Sequence, residues 1–290
     1  DMDGRCSGYI AYKHYKKLLD AKIISDIETI EVDYSNAPQD LGQFKGDDVV
    51  IVDFSFSREK MEELQAVAKS VIWIDHHKTA LEKMEGLCIF GIRSLNYAGC
   101  VLTYMYFKGL VNESNIGDLD TIFKDSDIPL AVLLVGDRDT WKFQYPDTND
   151  FFSGFYYLED SNPKSAAWDN AMDNPGFYIA RGADATKVAT KVFDDQVERA
   201  GFWADWMGYK CFCINSATPG SGALERAQPD ADIYISFRWA NGMFSVSMYT
   251  HKQDIDVSKI AKMYRWNGGD GGGHVGAAGF QCSFPPFLLR

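Results

Sequence analysis

The chain has 290 residues, 46% of them hydrophobic and 24% charged, with 41 acidic against 29 basic side chains for a formal net charge of -12. That length suits two cores of unequal size better than one, and no stretch approaches the roughly 18 uncharged apolar residues of a membrane span. The acidity argues against long-range capture of a long nucleic acid and suits carboxylates clustered around divalent cations.

The six cysteines contain no CxxC pair, and no signal peptide is visible. The expectation is reduced thiols in a cytoplasmic protein.

In chain order, Asp1-Met2-Asp3-Gly4 reads as a turn into a helix over residues 5–20. A short strand is expected at residues 29–32. Residues 48–53, Asp-Val-Val-Ile-Val-Asp, form a near-continuous β-branched run of the kind buried on both faces of a parallel sheet, and the run ends in Asp53. An amphipathic helix over 58–69 leads to a second buried strand at 71–74, which ends in Asp75-His76-His77. A strand is expected at 88–92, helices over 98–108 and 116–125, and another buried segment at 130–135 that ends near Asp137 and Asp139. Residues 143–180 read as short helices and loops.

Apolar strands alternating with helices point to an α/β fold whose open, mostly parallel sheet is flanked by helices. In such sheets ligands sit beyond the carboxyl ends of the strands, where Asp53 and Asp75 both fall. This domain is assigned to residues 1–185 and a helical linker to 186–205. A smaller mixed α/β domain over 206–290 has strands at 211–215, 232–238, 243–249 and 280–284 and a helix at 257–264. Asn241-Gly242 signals a hairpin between two of these strands.

Convergence, more than any single residue, suggests chemistry. A lone strand-end aspartate is usually a cap or turn residue, but Asp53 and Asp75 end neighbouring strands in the same way. Adjacent side chains diverge, so His76 can turn to a metal while His77 faces a phosphate, and Asp75 can fix a histidine tautomer. Asp1 and Asp3 can present two carboxylates to one site. Of Asp137 and Asp139, Asp137 is the favoured ligand, the other capping or pairing with Arg138. The stretch from Gly268 to His274 has five glycines in six residues before the histidine, which permits close backbone approach and lets amides point together at a phosphate. Trp141, Phe143, Phe151 and Phe152 are either core or a platform for a base, core being the commoner fate.

These motifs, in this order, resemble the DHH family of phosphoesterases with a DHHA1-type second domain. Asp1-Met2-Asp3-Gly4, Asp53, Asp75-His76-His77 and Gly136-Asp137-Arg138-Asp139 resemble its four acidic motifs. Gly271-Gly272-Gly273-His274 with Ala277-Ala278-Gly279-Phe280 resembles the glycine-rich signature of the second domain. The resemblance implies two Mn²⁺ ions, or in second place Mg²⁺, with Asp53 bridging, Asp1 on one side and Asp3, His76 and Asp137 on the other. It implies catalytic roles for Asp53, Asp75, His76 and His77, and substrate contacts from His77, Gly271, Gly272, Gly273 and His274. The implied substrate is a short oligonucleotide or a cyclic dinucleotide. Polyphosphate, a longer single strand, or phosphate binding without catalysis are the alternatives, and a homodimer is left open. One departure stands in Ser247-Met248-Tyr249-Thr250, where relatives often carry an arginine.

Overall fold

The computed structural model describes all residues except 35, 113, 217–220, 241, 267–268 and 289–290; for 221–222, 265–266 and 269–270 only the backbone is described. Asn241 of the expected hairpin turn and Gly268 of the glycine stretch therefore lie outside the described residues. The chain divides into two compact units, Asp1–Thr186 and Lys187–Arg290.

The first unit begins with α1 (Met2–Asp20), whose N-cap Asp1 accepts from the Gly4 amide, as a short polar side chain does for the first orphan donors of a helix. Then come β1 (Asp48–Val52), α2 (Arg58–Val67), β2 (Ser70–Ile74), α3 (Lys78–Lys83), α4 (Gly99–Phe107), α5 (Leu119–Asp125), α6 (Leu130–Asp139), α7 (Thr148–Tyr156), α8 (Ala167–Asp173) and α9 (Pro175–Ala200), within which the division falls. One core joins α1, α4, α6, α7 and α8 through Cys6, Ile10, Leu102, Met105, Leu134, Phe151, Phe155 and Trp168. A second, around Leu41, Ile51, Met61, Leu64 and Trp73, seats α2 against the β1–β2 pair.

The second unit holds β3 (Gly201–Trp206), β4 (Tyr209–Asn215), α10 (Ser221–Ala227), β5 (Ile233–Ala240), β6 (Met243–Tyr249), α11 (Val257–Ala261), β7 (Arg265–Trp266), β8 (Gly269–Asp270), β9 (Gly272–Gly273) and β10 (Ala277–Cys282). Six of these strands form one sheet in the order β3-β4-β5-β6-β10-β9. Its inner positions, Cys211, Cys213, Ile233, Ile235, Val246, Met248 and Phe280, pack on Val257 and Ile260 of α11.

The open, mostly parallel sheet expected from the sequence is corrected by this topology. In the first unit only β1 and β2 form a ladder among the described residues, a parallel one, prolonged by single parallel bridges Ile72–Phe90 and Asp75–Arg93. The large sheet belongs to the second unit and is antiparallel at every pairing except β4–β5. The misreading has a definite origin. The apolar run at 130–135 is the N-terminal part of helix α6, packed against α1, α4 and α7. Apolar throughout, it shows no amphipathic period, and a short apolar run cannot be assigned to strand or helix by periodicity. Residues 29–32 form no strand, and 88–92 contribute only a bridge. No helix among the described residues is long and apolar enough to cross a membrane.

Candidate metal centre

Four polypeptide segments of the first unit meet at one nitrogen of His76, three of them bringing carboxylates. Asp3 Oδ2 lies 3.4 Å from His76 Nε2, Asp53 Oδ1 3.1 Å and Asp139 Oδ2 3.3 Å. Asp3 comes from the first turn of α1, where its Oδ2 accepts from Gly99 N at 2.7 Å and its Oδ1 from Cys100 N at 2.8 Å. These are amides of the first turn of α4, which favours a negative charge there. Asp53 leaves β1 with φ +54° while its amide donates to Ile74 O at 2.9 Å. A left-handed backbone is uncommon for a residue with a Cβ but is tolerated best by Asp and Asn. It turns the carboxylate out of the strand toward β2.

Asp75, at the end of β2, is fully buried. Its Oδ1 accepts from the amides of His76 (2.7 Å) and His77 (3.2 Å) and lies 2.8 Å from His77 Nδ1. Asp75 thus orients His77 and turns the 75–77 loop. Its Oδ2 is buried with no hydrogen-bond partner among the described residues. Two glycines make room for the carboxylates: a Cβ on Gly99 would sit 3.0 Å from Asp3 Oδ2 and 2.9 Å from Asp53 Cβ, and one on Gly4 would sit 3.2 Å from Asp53 Oδ2.

The electrostatics follow from burial. Desolvation, then the charges of Asp3, Asp139 and Asp75, push the Asp53 carboxyl well above the carboxylate range. Desolvation and Asp3 likewise push Asp139 up to about 8. Burial holds His76 below its ordinary value, so the imidazole is neutral and cannot serve as counter-ion to three carboxylates. For His77, burial opposes the charge, but the hydrogen bond and charge of Asp75 outweigh it and the net shift is upward. For Asp75, burial is likewise outweighed by His77, and its carboxyl is held low.

Crowded buried carboxylates beside a neutral imidazole are what a divalent cation requires, since oxygen and imidazole donors suit Mn²⁺ and Mg²⁺. Two donor sets that lie wholly within the first unit are close enough to hold an ion, each with its atoms within 4.8 Å of one another: Asp3, Asp53 and His76, and Asp53, Asp75 and His77. Asp53 belongs to both.

The remaining expected site residues fall elsewhere. Asp1 is exposed, in neither set, and its Oδ1 caps α1 through Gly4 N at 3.0 Å. Asp137 does not face His76. Its Oδ1 accepts from Gln144 N at 2.8 Å, and its Oδ2 from Tyr145 N at 3.2 Å and Thr148 Oγ1 at 2.5 Å. Residues two apart on a helix point about 200° apart, so only one of Asp137 and Asp139 can turn to the site, and it is Asp139. A helical reading of 130–139 would have exposed this choice.

Gly271, Gly272, Gly273 and His274 lie in the second unit, and their amides are partly committed. Gly271 N donates to Tyr264 O at 2.9 Å and His274 N to Ala277 O at 2.7 Å, while Gly272 and Gly273 pair with β10. The glycines serve close backbone approach: a Cβ on Gly271 would meet Ala261 O at 2.2 Å, and one on Gly273, at φ +138°, would meet Ala277 O at 2.6 Å.

Strand-end and helix-end carboxylates gathered round a buried histidine define a candidate divalent-metal centre on an α/β scaffold. Residues 1–126, less than half of the chain, match the model of the DHH family, N-terminal domain. An uncharacterized protein of Acanthamoeba polyphaga mimivirus is 28% identical over 166 residues, covering 54% of this chain and 35% of the relative. The chain thus spans about a third of the length of that curated relative. Among solved structures, the DHH domain of a member of the s1p family of ribosomal proteins aligns over 96% of this chain and 80% of its own, with TM-score 0.54 and 15% identity; that likeness is one of fold. A pGpG-specific phosphodiesterase from Vibrio cholerae aligns over 97% and 90% with TM-score 0.43 and 14% identity.

Proposed function

We propose that this chain is a two-metal phosphoesterase, using Mn²⁺, that hydrolyses short oligonucleotides or cyclic dinucleotides. The observation that carries the reading is the place of Asp53 in both donor sets, which is how one carboxylate serves two neighbouring cations. Asp3, His76 and Asp139 would hold one ion with Asp53; Asp139 replaces Asp137 in this role. Asp75 Oδ2, and Asp1 across Gly4, would complete the other. The chemistry such cations supply when bound is activation of a water for in-line attack at phosphorus.

The protein's own groups do the rest. The α4 amides fix Asp3, so its oxygens need no reorganisation. His76, neutral because it is buried, offers a lone pair rather than a proton. Asp75 lies against Nδ1 of His77 and shifts its pKa upward, which fixes the ring and would leave Nε2 to meet a phosphoryl oxygen. Within the second unit, read as a DHHA1-type substrate domain, the His274 imidazole suits a phosphate better than the glycine amides, which are partly committed there.

The test is hydrolysis of a dinucleotide, a cyclic dinucleotide, a longer single strand and polyphosphate with Mn²⁺, and with chelator as control. Turnover of the first two that disappears in Asp53→Ala and His76→Ala supports the proposal. Metal-independent turnover, or none on any substrate, overturns it.

A further inference from the structure

The four aromatics after Asp139 that the sequence leaves between core and platform separate cleanly. Phe151 is fully buried in the helical core, and Phe152 packs on Tyr156 and the Arg138 guanidinium. Trp141 and Phe143 stay 37% and 38% exposed, their ring centroids 5.4 Å apart at an interplanar angle of 77°. Both have left-handed backbones, φ +54° and +46°, a conformation uncommon for residues this bulky.

At Trp141 the left-handed backbone closes α6: it follows the C-cap Thr140, the position where a helix commonly ends in this conformation and where glycine is the usual residue. The loop is pinned from both sides. Trp141 N donates to Arg138 O and Lys142 N to Asp137 O, both at 3.1 Å. The Asp137 carboxylate draws in the amides of Gln144 and Tyr145. Lys142 Nζ donates to Asn96 O at 2.6 Å, reaching the loop that precedes α4, whose amides anchor Asp3. The helix ending calls for a left-handed residue but not for a bulky aromatic, and keeping one there is a cost that a functional role would explain. Two Cα–Cα steps place Trp141 Cα within about 7.6 Å of that of Asp139, whose carboxylate meets His76.

We infer that Trp141, supported edge-on by Phe143, is the base-stacking platform of this site, and that Asp137 and Lys142 are positioning residues that hold it there. The substrate class would then be phosphodiesters carrying a nucleobase next to the scissile phosphate, rather than polyphosphate. Stacking is sequence-tolerant because every base has a π face, so discrimination would be for the presence of a base and not its identity. This inference rests on the phosphoesterase reading of the same centre.

The experiment compares a dinucleotide with its abasic analogue on the full chain in Mn²⁺. It records kcat and KM for turnover, and Kd by calorimetry for binding, in the wild type, Trp141→Gly, Trp141→Ala and Trp141→Phe. Loss of the ring in the Gly and Ala variants should lower the preference for the base-bearing substrate by about 10-fold, chiefly through KM and Kd. The Phe variant should restore most of it. The Gly variant, which removes both ring and strain, should melt above the Ala variant, which keeps the strain; this separates a binding role from a structural one. An equal loss on both substrates, an unchanged preference, or no binding of the dinucleotide by the wild type overturns the platform. If the wild type binds the dinucleotide with the expected preference but turns over neither substrate, the hydrolase reading fails and the platform stands.

Discussion

Two stretches of this chain look alike as sequence signals and differ in physics. The acidic strand and helix ends of the first unit bury charge: Asp3, Asp53 and Asp139 surround one neutral imidazole, and two of the three are pushed toward protonation. The glycine stretch of the second unit buries backbone: Gly271 and Gly273 sit where any Cβ would strike a carbonyl oxygen, and their neighbourhood is hydrogen-bonded internally. The first arrangement is unfavourable as charged groups and needs a cation or protons to relieve it. The second is partly satisfied by its own hydrogen bonds. A motif that leaves its polar groups in electrostatic conflict points to a ligand, whereas one that resolves them internally points first to packing.

The largest expected effect breaks the first arrangement. Asp53→Ala should lower metal-dependent turnover by at least about 100-fold, more than an outer group would, and should weaken binding of both cations in a calorimetric Mn²⁺ titration. Loss of one site with the other intact would argue against a bridging carboxylate. Asp139→Ala should weaken Mn²⁺ binding, while Asp137→Ala should chiefly lower thermal stability by releasing the 144–148 loop. The reverse pattern would return the ligand role to Asp137.

The second arrangement is tested by Gly271→Ala, whose Cβ would press on Ala261 O. The expected loss is about 1–3 kcal/mol of unfolding free energy in urea. Back in the first unit, Asp75→Asn keeps the volume but removes the charge that raises His77, and should cost about 10- to 100-fold in activity.

A smaller effect sharpens the electrostatic side. The Asp139 pKa rises from 3.8 to about 8 in the fold. The protonated form is therefore favoured on folding, and the associated stability is present below about pH 4 and lost as pH rises through 8. In chelator, Asp139→Asn should melt above the wild type at pH 8, with the gain shrinking toward pH 4 and reversing in saturating Mn²⁺. A gain independent of pH would show that Asp139 does not carry the strained charge.

Much of the candidate site was legible in the sequence because its residues end short apolar runs. No ambiguity arose at β1 and β2, where residues 49–52 and 71–74 are β-branched or aromatic throughout and leave few alternatives to a buried strand. Legibility failed where an unbroken apolar run erased the periodic signal. Residues 130–135 include no polar side chain to show which face is which, so their helical state, and with it the choice of Asp139 over Asp137, stayed hidden. The same residues read as a strand made the first sheet look larger than it is. The anchoring of Asp3 by the amides of Gly99 and Cys100 had no sequence signal, since backbone donors carry no residue code.

The sequence by itself determined the order of the acidic segments, the residue types that end the short apolar runs, and the strands and helices with a clear period. These are local properties, set by side-chain pattern and by the few residues that tolerate turns and caps. Only the tertiary structure decided which of two aspartates faces His76, that the broad sheet is antiparallel and in the second unit, and that Trp141 and Phe143 stand outward on a pinned, left-handed loop. Those outcomes depend on contacts between segments far apart in the chain, where helix phase, strand pairing and burial are settled together.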